Sequence, residues 1–371
     1  MDSSAEEESH RPSISGPQWP SPGQAVDAYA GASDGGVRGE KPTPRGLGPP
    51  VEWRPRAELA ALQARARLYG QIRAFFARGG VLEVETPLAS RAGLTDPALE
   101  SWRTAWRAPT GVQPLWLHTS PEFPMKRLLT AGSGPIYQIC KVFRDGERGR
   151  RHHPEFTLLE WYRPGWDSDR LITEVADLVR LALGQPERPV EILSYRQLFL
   201  DRLAIDPFHA SLGELAARAQ GQGIAGAEHL SLDHDGWLDL LLTHSLETGL
   251  GRGRLTFIRD YPPSQAALAR IRPGPEPVAE RFELYLEGVE LANGFAELTD
   301  AVEQRWRFEQ DQDRRRTLGL PVPPLDEAFL AALASGMPEA AGVALGLDRL
   351  LMAITGASHI DQVLAFPIEW A

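Results

Sequence analysis

One cysteine in 371 residues excludes a disulfide framework and any site built on several thiolates. That residue, Cys140, lies in the apolar stretch IYQICKVF and reads as a packed core thiol with no chemical role. No run of about 18 or more uncharged apolar residues occurs, so no membrane-spanning helix is predicted. The first residues, MDSSAEEESH, are acidic with no apolar stretch behind them, unlike a secretory or transit peptide. The usual phosphate cradles are missing too: there is no G-x-x-x-x-G-K-[ST], and no G-x-G-x-x-G opens a helix. Net positive charge is absent, and a formal charge of -11 argues against a protein that coats nucleic acid. These absences leave a soluble globular protein, expected in the cytoplasm, whose 42% hydrophobic content can fill a sizeable core.

Residues 1–50 are rich in Ser, Gly and Pro without periodic apolar positions, so they are predicted to form a disordered tail ahead of one domain spanning 51–371. In RPRAELAALQARARLYGQIRAFFARGG the apolar residues recur at helical spacing up to Gly79-Gly80. VLEVETPLAS follows as a strand that must end, or lie at an edge, by Pro87. PLWLHTS, PIYQICKVF and EFTLLEWY read as strands, the last two an antiparallel pair. A helix is predicted over DSDRLITEVADLVRLALG, capped by Asp167 or Ser168 and stopped at Gly184. Residues 185–252 read as mostly helical, a charged helix covers about 299–318, and GVALGLDRLLMAITG is a strand or turn entering a helix. Antiparallel strands interleaved with flanking helices indicate an α+β fold, not a doubly wound parallel sheet.

Two features carry chemistry. The loop in FRDGERGRRHHPEF holds four arginines and two histidines between apolar strands. Glu283, Glu290 and Glu297 recur seven residues apart, with Asn293 between the last two. A regular strand alternates faces, so this odd spacing calls for a bend, which Gly288 or Gly294 would permit. Converging carboxylates need cations, for which a magnesium ion bridging phosphates and a protonated amine are the natural candidates. Guanidinium groups supply the opposite half, since they bind phosphate oxygens and stabilise charge that builds on a transferred group.

These segments resemble the catalytic domain of class II aminoacyl-tRNA synthetases, in the lysyl branch, from about residue 55 onward. VLEVETPLAS is similar to motif 1, VFRDGERGRRHHPEFTLLEWY to motif 2 and GVALGLDRLLM to motif 3, in that order. HTSPEFPMKRLL and GVELANGFAEL match the lysyl branch as well. The resemblance is closest to the elongation factor P (R)-β-lysine ligases, a paralogous family without the anticodon-binding OB domain. DYPPSQAALA has their form, and Ala344 stands where lysyl-tRNA synthetases usually carry glycine. A truncated lysyl-tRNA synthetase and a catalytically inactive regulatory paralogue are the alternatives.

The resemblance implies an antiparallel sheet flanked by helices and an ATP-dependent, AMP-forming ligase that loads (R)-β-lysine onto a lysine of elongation factor P. It assigns Arg144 to the α-phosphate and the substrate carboxylate, and Arg349 to the γ-phosphate. Phe156 would stack on adenine; His152, His153, Leu291 and Gly346 would line the nucleotide. Glu283 and Glu290 would hold magnesium, the latter also facing ATP. Ser120 and Glu122 would meet the amino group near the carboxylate and Asn293 the carboxylate itself. Glu160, Tyr162 and Glu297 would hold the distal ammonium, and Ala344 would narrow the pocket. A homodimer through motif 1 is implied, with no stable tRNA binding and no membrane. Two residues depart from the pattern: Gly146 occupies the usual glutamate position of motif 2, with Glu147 one residue later, and His153 stands where asparagine is usual.

Overall fold

The structure is a computed structural model that describes residues 53–371; the expected tail lies outside them. In chain order the strands are β1 (Leu82–Glu83), β2 (Ala89–Ser90), β3 (Arg103–Ala108), β4 (Gly111–Leu117), β5 (Ile136–Phe143) and β6 (Glu155–Pro164). They continue with β7 (Val190–Ser194), β8 (Leu255–Tyr261), β9 (Ile271–Arg272), β10 (Val278–Leu286), β11 (Val289–Ala296) and β12 (Ala340–Gly346). The main sheet runs β1-β5-β6-β12-β11-β10-β8-β7, with β9 beside β10, and β2-β4-β3 form a separate small sheet. Its centre is antiparallel, and only the outermost pairs, β1 with β5 and β7 with β8, are parallel. The α+β expectation therefore holds.

Strand alternation divides the main sheet into two faces. On one face Leu159, Trp161, Val343, Leu345, Phe282 and Leu284 form a continuous core with three helices, Leu59–Arg78, Ser168–Leu183 and Leu347–Thr355. The first helix contributes Leu68, Ile72 and Phe76 at i, i+4 spacing. The second begins where Asp167 accepts the Arg170 N–H at 2.8 Å and ends at Gly184 with φ of 65°, as the sequence predicts. The opposite face forms the floor of a cleft of about 1380 Å³.

VLEVETPLAS differs from its expectation. Only Leu82–Glu83 and Ala89–Ser90 pair, in different sheets, with Pro87 in the irregular link between them. Of the two positions offered for a bend, Gly288 takes it and Gly294 does not, and a bulge adds to the turn. Glu287 and Gly288, at φ 51° and 72°, form the two-residue tip joining β10 to β11. A β-bulge then shifts the register so that Tyr285 pairs with Glu290 while Leu284 pairs with Ala292. Gly294 makes no bend; a Cβ there would stand 2.4 Å from the Phe282 ring.

Candidate active site

The cleft floor is built in rows across the sheet, because directly paired residues of neighbouring strands point to the same face. One row runs Gln138, Glu160, Ala344, Asn293, Glu283 through the pairings of β5, β6, β12, β11 and β10. The next runs Tyr162, Gly342, Phe295, Arg281. Glu297 continues the alternation of Asn293 and Phe295 just beyond β11. The bulge brings Glu290 to the face of Tyr285 and Glu283. Thus the seven-residue spacing converges by a hairpin tip and a bulge together.

Along β6 the cleft-facing residues are Phe156, Leu158, Glu160 and Tyr162. Six residues of strand span about 20 Å. At the Tyr162 end three carboxylates meet. Glu160 is buried and accepts the Ser120 hydroxyl at 2.8 Å and the Tyr162 hydroxyl at 2.6 Å. Glu297, also buried, pairs with the ammonium of Lys126 at 2.5 Å, and Lys126 pairs with Glu122 as well. Gly342 makes room for this group: a Cβ would stand 2.3 Å from Glu297 Oε1 and 2.4 Å from the Tyr162 ring.

The electrostatics follow from crowding. Burial and then the charge of Glu122 push the Glu160 carboxyl up to about 7. Burial pushes Glu297 up to about 8; Lys126 opposes this, while Glu122 and Glu160 add to it. For Lys126, burial works against the ammonium, but the charges of Glu122 and Glu297 outweigh it and the net shift is upward. The lysine therefore stays charged, and the carboxylates compete for too little positive charge. Cys140, on the same sheet face beside Glu160, is pushed up to about 12 by burial and by that carboxylate, which keeps it an inert thiol.

The Phe156 end is cationic. Arg144 lies over the Phe156 ring at 5.0 Å, and its Nε is buried with no partner among the described residues. An unsatisfied guanidinium donor in a cleft is poised for an anionic ligand. Glu147 stands 3.6 Å from Arg144, beside Gly146, whose φ of 77° suits glycine. Arg349 donates to the Glu290 carbonyl at 2.8 Å and to His152 Nε2 at 2.7 Å. Loss of solvation and the Arg349 charge lower the His152 pKa, so the ring accepts as a neutral base. His153 lines the cleft, but Glu155 O at 2.5 Å and the Ile368 N–H at 2.8 Å engage its ring nitrogens. Its role there is a wall, not a free hydrogen-bonding group. Leu291 and Gly346 line the same end; the nearest atom to a Cβ on Gly346 is 3.8 Å away, so the glycine leaves cleft space open.

Between these ends lie Glu283, Glu290 and Asn293. Burial, followed by the charge of Glu283, raises the Glu290 carboxyl, whose side chain keeps 38% exposure to the cleft. Two carboxylates so apposed fit a divalent cation. Glu283 also accepts from Arg281 and from the Tyr285 hydroxyl at 2.6 Å, and Arg281 reaches Asn293 Oδ1 at 3.3 Å. Among the described residues no group of three or more His, Cys, Asp or Glu side chains is placed to hold a metal alone. The pair therefore fits magnesium in combination with phosphate oxygens, which is how that ion is usually held.

All the residues expected from the sequence line this one cleft. Three further residues escaped the sequence reading. Lys126 sits inside an ordinary amphipathic helix, Glu122–Thr130. Arg281 shares a strand face with Glu283, and that i, i+2 spacing was the available signal. Gln304 is buried against the cleft with neither amide atom partnered among the described residues; it lies in a helix whose charge gave no such sign.

Comparison with known proteins adds an independent line. Residues 51–369 match the family of tRNA synthetases class II (D, K and N). Proteins named elongation factor P–(R)-β-lysine ligase are similar over nearly their whole length. That of Avibacterium paragallinarum is 48% identical over 320 residues, covering 86% of this chain and 98% of its own. Those of Erwinia tasmaniensis, over 322 residues, and Klebsiella pneumoniae, over 324, are 49% identical with the same coverage.

Proposed function

This chain belongs to the class II tRNA synthetase family (D, K and N), and from that premise we propose that it is an elongation factor P–(R)-β-lysine ligase. It activates (R)-β-lysine with ATP and transfers it to the ε-amine of a lysine on elongation factor P. The observation that carries the reading is the polarity of the cleft along β6. Buried carboxylates stand at Tyr162 and an unsatisfied arginine at Phe156, about 20 Å of strand apart. A diamino acid joined to a nucleotide has that length and charge order.

In this reading the adenine stacks on Phe156 beside His152 and His153, against Leu291 and Gly346. Arg349 holds the γ-phosphate, and Arg144 holds the α-phosphate together with the amino-acid carboxylate. Asn293 orients that carboxylate, steadied by Arg281. The carboxylate oxygen attacks the α-phosphorus in line, a P–O bond to the leaving pyrophosphate breaks, and an acyl-adenylate forms. The barrier falls by positioning and charge stabilisation, with no covalent enzyme intermediate. Ser120 and Glu122 meet the amino group nearer the carboxylate; Glu160, Tyr162 and Glu297 hold the distal ammonium. Glu283 and Glu290 would hold magnesium, which supplies charge neutralisation on the phosphates. The elongation factor amine then attacks the acyl carbonyl, loses a proton and releases AMP.

Ala344 stands between Glu160 and Asn293 in the floor row, so its methyl shortens the space between ammonium and carboxylate sites. That favours a substrate whose amino group is moved by one carbon, by about 1–3 kcal/mol. The chain acts in the cytoplasm as a homodimer formed through the motif 1 segment, without stable tRNA binding. The catalytic domain spans 51–371. Among the described residues no helix is long and apolar enough to cross a membrane. Amino-acid-dependent ATP–pyrophosphate exchange tests the reading, with a tRNA-charging assay alongside. Exchange with (R)-β-lysine exceeding that with α-lysine, and no charged tRNA, is expected; charged tRNA would overturn it.

A further inference from the structure

Lysine is scarce in this protein. Of 39 lysine and arginine residues only Lys41, Lys126 and Lys141 are lysines, so a cation is almost everywhere an arginine. Lys126 is one of the three, is fully buried, and pairs with both Glu122 and Glu297. It is packed behind the two carboxylates that line the cleft, with the Phe329 ring 5.9 Å from its nitrogen. A compact ammonium can be shared between two carboxylates in a tight space where a planar guanidinium fork cannot.

The titratable groups facing this pocket among the described residues are Glu122 and Lys126 on one helix, Glu160 and Tyr162 on β6, Glu297 beyond β11, and the Cys140 thiol of β5 beside Glu160, which stays neutral. Tyr162, buried beside the carboxylates, is held well above its ordinary value and stays neutral. One ammonium thus faces three carboxylates, a deficit of two positive charges.

Resting on the function proposed above, we propose that Lys126 is a positioning residue, the resident cation that sets the charge of the amino-acid pocket. It leaves room for two more ammonium groups, so the pocket selects a diamino acid by charge count and takes it in exchange for protons held when empty. The direction of the carboxyl shifts agrees. At neutral pH Glu297, and in part Glu160, retain a proton, and an entering ammonium must displace it. A carboxyl with a raised pKa binds the ammonium only once ionised, so KM for the amino acid falls as pH rises through about 7 to 8. A monoamino acid leaves one carboxylate unmatched, and burying an unpaired charge is costly.

Calorimetric titration of (R)-β-lysine into the full chain, in two buffers of different protonation enthalpy, reads the exchange directly. Release of about one proton near neutral pH, vanishing in alkaline buffer, is expected; binding without release overturns the proposal. In Lys126→Met, KM for (R)-β-lysine should rise roughly tenfold or more with KM for ATP unchanged, and the pH limb should move to higher pH. Lys126→Met combined with Glu122→Gln restores the deficit of two and should recover part of that loss. A double variant no better than the single one, or a limb that stays in place, would make Lys126 merely structural and overturn the proposal. If the single variant does not fold, the double variant and the wild-type titration decide. Wild-type protein that activates no diamino acid at all would instead refute the function itself.

Discussion

Arg144 is the residue on which the chemistry turns. Its buried Nε has no partner among the described residues, although Glu147 and Phe156 hold the rest of the side chain. Arg144→Ala should reduce pyrophosphate exchange by about 10²-fold or more, as removal of a charge-stabilising donor does, while the circular dichroism spectrum stays native. Gly342 tests the opposite end. Its missing Cβ is what lets Glu297 and the Tyr162 ring approach β12, so Gly342→Ala should cost about 1–3 kcal/mol of stability by overpacking. KM for the amino acid should rise and KM for ATP should not; equal effects on both would show that the two ends are not separate subsites. Most of these residues were legible in the sequence through ordered motifs. Lys126 was not, because a lysine among apolar residues of a short helix normally points to water, and only the packing of Phe329 and two carboxylates around it shows otherwise.

Elements were legible where burial imposed a period. The helix at Ser168–Leu183 buries eight positions on one stripe and starts and stops at the expected caps. Asp167→Ala should therefore lower the unfolding free energy by about 1 kcal/mol, read as a lower denaturation midpoint with m and the kinetic constants unchanged; a change in KM would mean that the helix does more than support the sheet. The strands that escaped prediction lack such a period. β3 is exposed at all but its last position, so main-chain pairing to β4, which was expected from PLWLHTS, rather than an apolar face holds that hairpin. β7 is a short edge strand with no buried residue, paired only to β8. The bulge in β11 was beyond sequence reading as well. Seven-residue spacing demanded some irregularity, and of the two glycines that suggested where, Gly288 does sit at the hairpin tip while Gly294 is there for Phe282.

At the scale of the molecule, the edge of the main sheet carries the features of an interface. β1 is two residues long, and Leu82 within it and Leu88 in the segment that follows are exposed at 56% and 42%. Apolar side chains gathered beside an open edge favour a two-fold partner. Sedimentation equilibrium should give twice the chain mass at micromolar concentration, and Leu82→Lys should shift it toward the monomer; a wild-type monomer would refute the dimer. The proposed function is one reaction, and the intact mass of elongation factor P reads it most directly. The factor is incubated with this protein, ATP, magnesium and either (R)-β-lysine or α-lysine. A single lysyl-sized addition, faster with the β-isomer and absent with Arg144→Ala, is the expected result. An unchanged elongation factor P under conditions that charge tRNA would contradict the account.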